Sequence, residues 1–375
     1  MAPLPHDTFD HAMMRRAIAL ARRGEGRVEP NPMVGCVIVR GRRVIGEGYH
    51  RRFGGPHAEI EALAACDKRP RGATVYITLE PCSHTGKTPP CTEALIRAGV
   101  ARVVVARRDP HRAVNGRGIR RLRSAGIDVV CGTCRSEASD VLAPFLTRVL
   151  HGRPYVIAKW AQSLDGKLCT RTGQSKWISC DASRRRVHRL RARMDAVVVG
   201  AGTAAVDDPL LTARDVPVRR AALRVIVAGR LRVTPRSRLA RTARQHPTVV
   251  MTTARAANST AAARLRRCGV EVVGCRSRGD RVSPADMLRR LADRDATNVL
   301  VEGGPSLLTS LFEARLVDEA FVFTAPILIG GDDARGPIGG RGAARIDDCI
   351  TPTWVRTSRS GRDVLVHMRL ANAVR

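Results

Sequence analysis

The sequence is poor in aromatic residues, in lysine and in long apolar runs. Phe, Trp and Tyr make up 3% of its 375 residues, so the stacking surfaces that bind single-stranded nucleic acids are scarce. No apolar run approaches the roughly 18 residues that a membrane helix requires. The arginine-rich N-terminal segment has the spacing of an amphipathic helix rather than of a secretory signal. We therefore expect a soluble protein of the cytoplasm.

The sequence also lacks a disulfide framework and has few acidic residues relative to basic ones. The eleven cysteines follow no paired pattern, which indicates free thiols in a reducing compartment. The chain has 65 basic residues against 34 acidic ones, a formal net charge of +31, and only five of the basic residues are lysine. Such a surplus permits nucleic-acid binding. Because the arginines are scattered, we instead predict a basic surface suited to phosphorylated small substrates, with no nucleic-acid or membrane partner.

Length and periodicity predict two α/β domains. At roughly 100–200 residues per domain the chain has room for two, and 151–154, His-Gly-Arg-Pro, reads as a linker between domains at 1–150 and 151–375. Short apolar strands alternate with helical stretches in both halves, and the second half is expected to be mostly parallel. The predicted strands are 34–39, 43–48, 74–79, 102–106, 128–131, 155–160, 195–200, 223–228, 248–252, 270–275, 298–301 and 321–324.

Three segments of the first half together suggest a catalytic zinc site. His57 opens a helix, Cys82 follows a strand, and Cys91 opens the next helix. One imidazole and two thiolates leave a fourth zinc position open, which is typical of catalytic rather than structural zinc. Glu59 lies two residues from the histidine and can shuttle protons. His-x-Glu with Pro-Cys is the signature of zinc nucleobase deaminases.

The segment at 81–91, Pro-Cys-Ser-His-Thr-Gly-Lys-Thr-Pro-Pro-Cys, is longer than the Pro-Cys-x-x-Cys of most deaminases. It resembles the bifunctional deaminase/reductase of riboflavin biosynthesis. Residues 31–35, 46–50 and 158–167 are similar to the same family, so the resemblance covers nearly the whole chain. It implies an α/β fold with an N-terminal cytidine-deaminase-like α/β/α domain and a C-terminal dihydrofolate-reductase-like α/β domain. It also implies a homo-oligomer.

For the first domain, the resemblance implies zinc-dependent deamination of 2,5-diamino-6-ribosylamino-4(3H)-pyrimidinone 5′-phosphate. The family positions that hold this substrate match Asn31, His50, His84 and Lys87. An asparagine amide can pair with the edge of a pyrimidine, and lysine and histidine can neutralise a phosphate, so the residue types agree with the implied substrate.

For the second domain, the resemblance implies NADPH-dependent reduction of the ribosyl group to ribityl. Residues 302–306, Glu-Gly-Gly-Pro-Ser, form a turn between a predicted strand and helix, where free N–H groups suit a phosphate. The implied cofactor contacts are Ala161, Trp177, Thr203, Asp207, Gly304, Pro305 and Ser306. The implied substrate contacts are Lys159, Ser175, Arg191, Leu211, Arg214 and Glu302. Arg191 and Arg214 also suit a substrate phosphate, because guanidinium binds it bidentately.

The sequence departs from this family at two neighbouring positions. Ala228 and Gly229 stand where members commonly carry Asp with Ser or Thr near the cofactor, and Arg230 and Arg232 are candidates for a replacement phosphate contact. Two other functions remain open at this stage. The chain is alternatively a paralogue using the same pyrimidine chemistry in a secondary, toxoflavin-like pathway, or a nucleic-acid-editing deaminase, which the second domain disfavours.

Overall fold

The computed structural model describes residues 5–84 and 89–370. The chain divides into two compact units between Gly152 and Arg153. Within the described ranges, every helix is too short or too polar to traverse a lipid bilayer.

The first unit is a five-stranded sheet with helices on both faces, as its α/β/α prediction requires. The sheet order is β2-β1-β3-β4-β5, in which β3, β4 and β5 are parallel and β1 is antiparallel to β2 and β3. Its elements are α1 (Pro5–Ala21), β1 (Gly35–Arg40), β2 (Arg43–Tyr49), α2 (Ala58–Ala64), β3 (Thr74–Ile77), α3 (Cys91–Ala98), β4 (Arg102–Val105), α4 (Arg117–Ser124), β5 (Asp128–Cys131) and α5 (Arg135–His151).

Alternation along the strands divides the core into two layers. Val37 and Val39 of β1 pack on the layer that contains Met14 of α1 and Leu142 of α5. The residues between them point to the opposite face, because successive side chains of a strand alternate. There Cys36 and Ile38 join a second layer, which includes Leu95 of α3 and Leu122 of α4.

Two glycines bring backbones close together near the predicted zinc ligands. A Cβ on Gly48 of β2 would lie 2.4 Å from the Ala62 nitrogen, so α2 packs directly on this strand. A Cβ on Gly118 of α4 would lie 2.1 Å from the Pro81 carbonyl oxygen, next to Cys82. Because no larger side chain fits these distances, both glycines help to fix the helices that border the site.

The second unit is built on a nine-stranded sheet of order β10-β9-β8-β7-β13-β6-β14-β16-β15. The seven strands from β10 to β14 in this order run parallel to one another, whereas β16 is antiparallel to both β14 and β15. The unit also contains a separate antiparallel pair, β11 and β12. The strands are β6 (Tyr155–Ser163), β7 (Ala196–Gly200), β8 (Leu223–Val227), β9 (Thr248–Thr253), β10 (Glu271–Cys275), β11 (Ser277–Arg278), β12 (Arg281–Val282), β13 (Asn298–Val301), β14 (Glu319–Ala325), β15 (Pro352–Ser360) and β16 (Asp363–Leu370).

Helices of this unit connect most of the parallel strands. One buried core joins β6, β7, β8, β13 and β14 to two of these helices through residues such as Leu288 and Leu308. The helices are α6 (Asp181–Arg191), α7 (Ala201–Asp207), α8 (Arg238–Arg241), α9 (Ala254–Ala257), α10 (Thr260–Arg267), α11 (Pro284–Ala292) and α12 (Pro305–Glu313).

The strand predictions are confirmed to within a few residues, with two omissions. Neither the short hairpin of β11 and β12 nor the hairpin of β15 and β16 at the sheet edge was predicted. Seven of the nine residues of β15 are exposed, so this strand lacks the apolar alternation by which half-buried strands are recognised.

Candidate active sites

The three predicted zinc ligands meet in the first unit. His57 is the residue before α2, Cys82 lies in the segment after β3, and Cys91 is the first residue of α3. The Nδ1 atom of His57 lies 3.2 Å from the Cys91 Sγ and 3.7 Å from the Cys82 Sγ. Within the described part of the chain, these are the residues whose ligand atoms form a metal-type cluster, all within 4.8 Å of one another.

The donor set fits zinc. Tetrahedral zinc with bonds of about 2.0–2.3 Å places its ligand atoms roughly 3.5 Å apart, close to the observed distances. The Cys91 N–H also donates to the Cys82 Sγ at 3.4 Å. Hydrogen bonding from Cys91 and His57 lowers the pKa of the Cys82 thiol, against the opposing effect of burial. A thiolate is therefore favoured at Cys82, and thiolate is the form of cysteine that binds a metal.

Glu59 lies beside these ligands in the first turn of α2 and is 3% exposed. Burial raises the pKa of its carboxyl group to about 7. A carboxyl group with a pKa near neutrality can both accept and return a proton. The geometry thus gives Glu59 the position and the chemistry of a proton shuttle.

The predicted substrate residues Asn31 and His50 are joined by a hydrogen bond. The His50 Nδ1 lies 2.8 Å from the Pro56 carbonyl oxygen, so this nitrogen carries the proton and donates. The His50 Nε2 then accepts from the Asn31 Nδ2 at 3.1 Å. Burial lowers the pKa of His50, which favours this neutral tautomer. His50 consequently fixes the orientation of the Asn31 amide.

These residues line a cavity of about 350 Å³ that also contains His84. His84 is exposed, and Lys87, the fourth predicted substrate residue, lies outside the described residues. Three further groups that line the same cavity were not predicted as site residues: Glu80, Asp109 and His111.

Glu80 supports the wall of this cavity. Its carboxylate accepts hydrogen bonds from the backbone N–H groups of Asp109, Gly116 and Ile119 at 2.9–3.2 Å. Asp109 is itself buried, and burial raises the pKa of its carboxyl group to about 6. The sheet topology explains why these two residues meet, since Glu80 and Asp109 follow the neighbouring parallel strands β3 and β4. Residues that follow such strands meet at one edge of a sheet, where α/β proteins bind ligands.

The second unit brings three predicted substrate residues together as an ion cluster whose side chains are 10–16% exposed. The Arg191 guanidinium binds the Glu302 carboxylate in two places, at 2.5 Å and 2.9 Å, and the Lys159 Nζ lies 3.9 Å from the same carboxylate. A third nitrogen of Arg191 donates to the Thr212 carbonyl at 3.2 Å. The guanidinium of Arg191 therefore orients Glu302 and the backbone at Thr212.

Burial and mutual attraction compete in this cluster. Burial lowers the pKa of Lys159, with Glu302 opposing that shift. Burial alone would raise the pKa of Glu302, but Arg191 and Lys159 outweigh it and hold this pKa below its ordinary value. Glu302 is accordingly ionised at neutral pH.

The predicted cofactor residues lie at the ends of neighbouring parallel strands. Helix α7 follows β7 and α12 follows β13, and these two strands are paired. A Cβ on Gly304 would lie 2.9 Å from the Thr203 Oγ1, so the starts of both helices lie side by side. Gly304 precedes α12, with Pro305 at its first position and Ser306 next. Exposed backbone N–H groups at this helix start suit a cofactor phosphate.

Asp207 and Ser175 are also close, with the Ser175 Oγ donating to the Asp207 Oδ1 at 3.5 Å. Lys176 Nζ donates to the Asp207 carbonyl at 2.9 Å. The other predicted contacts are more peripheral. Trp177 is 67% exposed, with the Arg184 guanidinium 4.5 Å from its ring centre, Arg214 is exposed, and Ala161 lies on β6.

The departure at Ala228 and Gly229 has a structural cause. A Cβ on Gly229 would lie 1.6 Å from the Asp280 carbonyl oxygen in the turn between β11 and β12. A serine or threonine therefore cannot occupy position 229 while this turn keeps its place. Arg230, a suggested phosphate contact, pairs with the Asp280 carboxylate at 2.6 Å.

Fold and sites together define a two-domain enzyme that joins a zinc-dependent deaminase to a dihydrofolate-reductase-like domain. Family models match both halves. Residues 7–107 match the cytidine and deoxycytidylate deaminase zinc-binding region, and residues 154–366 match the RibD C-terminal domain. The chain belongs to the RibD family of riboflavin biosynthesis proteins.

Full-length relatives agree with this assignment. The chain is 39% identical to riboflavin biosynthesis protein RibD of Actinobacillus pleuropneumoniae, over 97% of both chains. The RibD of Escherichia coli is 38% identical, over 96% of this chain and 99% of that one. A solved Thermotoga maritima diaminohydroxyphosphoribosylaminopyrimidine deaminase/5-amino-6-(5-phosphoribosylamino)uracil reductase has a TM-score of 0.85 at 35% identity, covering 98% of this chain and 100% of that chain.

Proposed function

We propose that this chain carries out two successive reactions of riboflavin biosynthesis in separate domains. The domain at 1–150 removes the 2-amino group of 2,5-diamino-6-ribosylamino-4(3H)-pyrimidinone 5′-phosphate. The domain at 151–375 then reduces the ribosyl side chain to ribityl. Full-length similarity to RibD proteins supports this function over the secondary-pathway and nucleic-acid alternatives. The cytoplasmic location, predicted from the cysteine pattern and the N-terminal sequence, and the homo-oligomer, implied by the family resemblance, both remain predictions.

For the deaminase reaction, His57, Cys82 and Cys91 would hold zinc. Zinc in such a site is a Lewis acid, which makes a water molecule acidic enough to ionise near neutral pH. Glu59 would take one proton from the attacking water and deliver it to the pyrimidine ring nitrogen, as the water oxygen bonds to the carbon that carries the 2-amino group. Glu59 would then move the remaining proton of that oxygen to the amine, so that the C–N bond breaks, ammonia leaves and a carbonyl group remains.

Substrate orientation falls to the residues around the cavity. The hydrogen bond from Asn31 to His50 holds the amide of Asn31 in one orientation, where it can pair with the edge of the pyrimidine. His84 and Lys87 supply positive charge or hydrogen-bond donors for the 5′-phosphate. Enclosure of Glu59 in the cavity wall limits access of bulk water to the transferred protons.

For the reductase reaction, bound NADPH would supply the hydride that reduces C1′ of the opened sugar imine. The turn at Gly304–Ser306, together with Thr203 and Asp207, holds the cofactor. The cluster of Lys159, Arg191 and Glu302 faces the substrate, and its buried ammonium group can supply the proton that completes the reduction. Arg214 contacts the substrate phosphate.

The observation that carries this proposal is the convergence of three zinc-type donors beside a buried carboxyl group, in a chain that also matches the RibD reductase domain. The test supplies purified protein with the pyrimidine ribotide and NADPH, and follows ammonia release and NADPH oxidation separately. We expect about one zinc per chain, ammonia release without NADPH, and NADPH oxidation only after deamination. Protein that deaminates without zinc, or a full-length chain that accepts neither substrate, would contradict the proposal.

A further inference from the structure

Arg224 is a completely buried cation in the middle of the second unit. It lies on β8 and its exposure is 0%. The five hydrogen bonds that it donates to described residues all end on carbonyl or hydroxyl oxygens. Burial lowers the pKa of its guanidinium to about 10, so the group remains charged at neutral pH. A buried charge is costly unless such groups solvate it well. The hydrogen bonds therefore identify the segments that Arg224 holds in place.

One guanidinium nitrogen of Arg224 reaches the loop between α7 and β8. This nitrogen donates to the Leu210 carbonyl of that loop at 3.2 Å and to the hydroxyl of Thr242, the residue after α8, at 2.8 Å. The other terminal nitrogen reaches the segment before β9, where it donates to the His246 carbonyl at 2.9 Å and to the Thr248 hydroxyl at 2.5 Å. Arg224 thus ties this loop to the body of the sheet.

The loop itself has an unfavourable backbone. Leu211 has a φ of +57° and is 2% exposed, and Asp208 has a φ of +37°. Such conformations are unfavourable for residues with a side chain and persist only where surrounding contacts impose them. The carbonyls on both sides of Leu211 are each held by a buried arginine. Arg224 binds that of Leu210, and Arg191 binds that of Thr212 at 3.2 Å.

We propose that Arg224 is a positioning residue of the reductase reaction, which holds the 208–214 loop in the shape that places the backbone at Leu211 and the side chain of Arg214 at the substrate. The inference rests on the proposed function, because that function makes Leu211 and Arg214 substrate contacts. Arg224 acts through the Leu210 carbonyl and does not itself touch the substrate. The loop is connected to the ion cluster through Arg191, which binds both Thr212 and Glu302.

The chemistry of arginine suits this role better than that of any other side chain. Its planar guanidinium offers five donors in a fixed arrangement, whereas the single nitrogen of lysine has three. Two terminal nitrogens of Arg224 serve two separate segments at once, and the position lies too deep for water to replace either set of bonds. With three donors on one nitrogen, lysine at position 224 can therefore replace only some of the five hydrogen bonds that Arg224 donates.

The test compares Arg224→Met with Thr248→Val in the full-length protein. Arg224→Met keeps an apolar stem and removes every donor, so the KM for the deaminated ribotide should rise about tenfold or more, as expected for loss of a charged hydrogen bond. Thr248→Val removes one acceptor on the side away from the loop. It should lower the Tm by a few degrees but leave this KM within about twofold, since the bond to Leu210 remains.

Amide hydrogen exchange provides a readout that does not depend on activity. In protein without substrate, Arg224→Met should accelerate exchange at residues 208–214, Thr248→Val should not, and Arg224→Lys should give an intermediate rate. The Arg224→Lys protein should have a KM between those of the parent and of Arg224→Met. It can replace Arg224→Met in the comparison if that variant does not fold. Equal KM and exchange in all three variants and the parent would overturn the positioning role.

Failure of the proposed function gives a different pattern of results. If the parent protein never oxidises NADPH with the deaminated ribotide, the reductase assignment fails, while the exchange experiment still reports whether Arg224 holds the loop. If the parent is active and Arg224→Met changes only the Tm, Arg224 serves stability alone and the positioning proposal is wrong. Zinc content and ammonia release should be the same in every variant, because the deaminase residues lie in the other unit.

Discussion

The two active sites of this protein are assembled in different ways. In the first unit, the zinc ligands and Glu59 come from two short segments, 57–59 and 82–91, each of which leads into a helix. In the second unit, the buried cluster joins Lys159 of β6, Arg191 of α6 and Glu302 after β13, which are up to 143 residues apart. The first site can thus be recognised as a motif, whereas the second becomes visible only when strand ends meet.

Their electrostatics differ in the same sense. The first site presents donors for a cation, with a Cys82 thiolate favoured by its neighbours. The second site already holds its own counterions, since Glu302 lies between the guanidinium of Arg191 and the ammonium of Lys159. Removing one group from the first site should therefore affect chemistry, whereas removing one from the second should affect both chemistry and stability.

The largest expected effect separates the two reactions. Glu59→Gln keeps the size of the side chain but cannot accept a proton, so ammonia release should fall by a factor of about 100 to 10,000 or more. Zinc content should be unchanged, because Glu59 is not a ligand. Given the already deaminated ribotide, the variant should oxidise NADPH at close to the parental rate. Loss of both activities in a protein with unchanged circular dichroism would show that the sites are not independent.

The converse change is Glu302→Gln. It leaves Arg191 and Lys159 as buried cations without their carboxylate, and breaking a buried ion pair costs about 3–5 kcal/mol. We expect a large loss of NADPH oxidation together with a lower Tm, and unchanged ammonia release. Asp10→Asn is the matched control, because it breaks a buried pair with Arg102 in the first unit, away from the zinc ligands. If that control also abolished NADPH oxidation, the comparison between the two units would fail.

A smaller effect tests the departure at position 229. Gly229→Ala places a methyl group against the Asp280 carbonyl, so the turn between β11 and β12 must move, at a cost of about 1–3 kcal/mol. Thermal unfolding measures the loss, and NADPH titration shows whether the moved turn changes cofactor affinity. Gly336→Ala is the control, because its nearest non-neighbouring atom would lie 3.6 Å away. Equal Tm values for both variants would mean that the contact at Gly229 is easily relaxed.

The smallest effect depends on pH. Buried Asp286 accepts hydrogen bonds from Arg289, Arg290 and the Arg276 backbone. Burial would raise the pKa of Asp286, but these bonds outweigh it and hold the pKa below its ordinary value. The resulting stability is present above the unfolded pKa of about 3.9 and is lost as the pH falls towards the folded pKa.

Asp286→Asn should therefore lower the free energy of unfolding by about 1–2 kcal/mol at pH 7, and the difference should shrink below pH ~4. Urea denaturation at several pH values measures it. Glu93→Gln is the counterpart in the first unit, where an exposed pair with Arg121 is removed, and it should have no measurable effect on stability. A difference for Asp286→Asn that grew on acidification would contradict the assigned sign.

Much of the fold was accessible from the sequence because local patterns and final structure agree. Strands such as Asn298–Val301 and Asp128–Cys131 were predicted with their observed bounds. The β15–β16 hairpin was not, because its exposed residues carry no apolar alternation. The buried position of Arg224 was not predicted either, because an arginine within an apolar strand gives no indication that buried carbonyl groups surround it.

The two α/β domains, the zinc-type donors and the family could be inferred from the amino-acid sequence, because they depend on local periodicity and on motifs whose residues are close along the chain. The three-dimensional fold was needed to show that Arg191 binds Glu302, that Glu80 supports the wall next to Asp109, and that the turn at Asp280 excludes a side chain at Gly229. Those contacts join residues from 29 to 111 positions apart. Their formation depends on the packing of parallel strands and on the removal of water, which spacing along a chain does not encode.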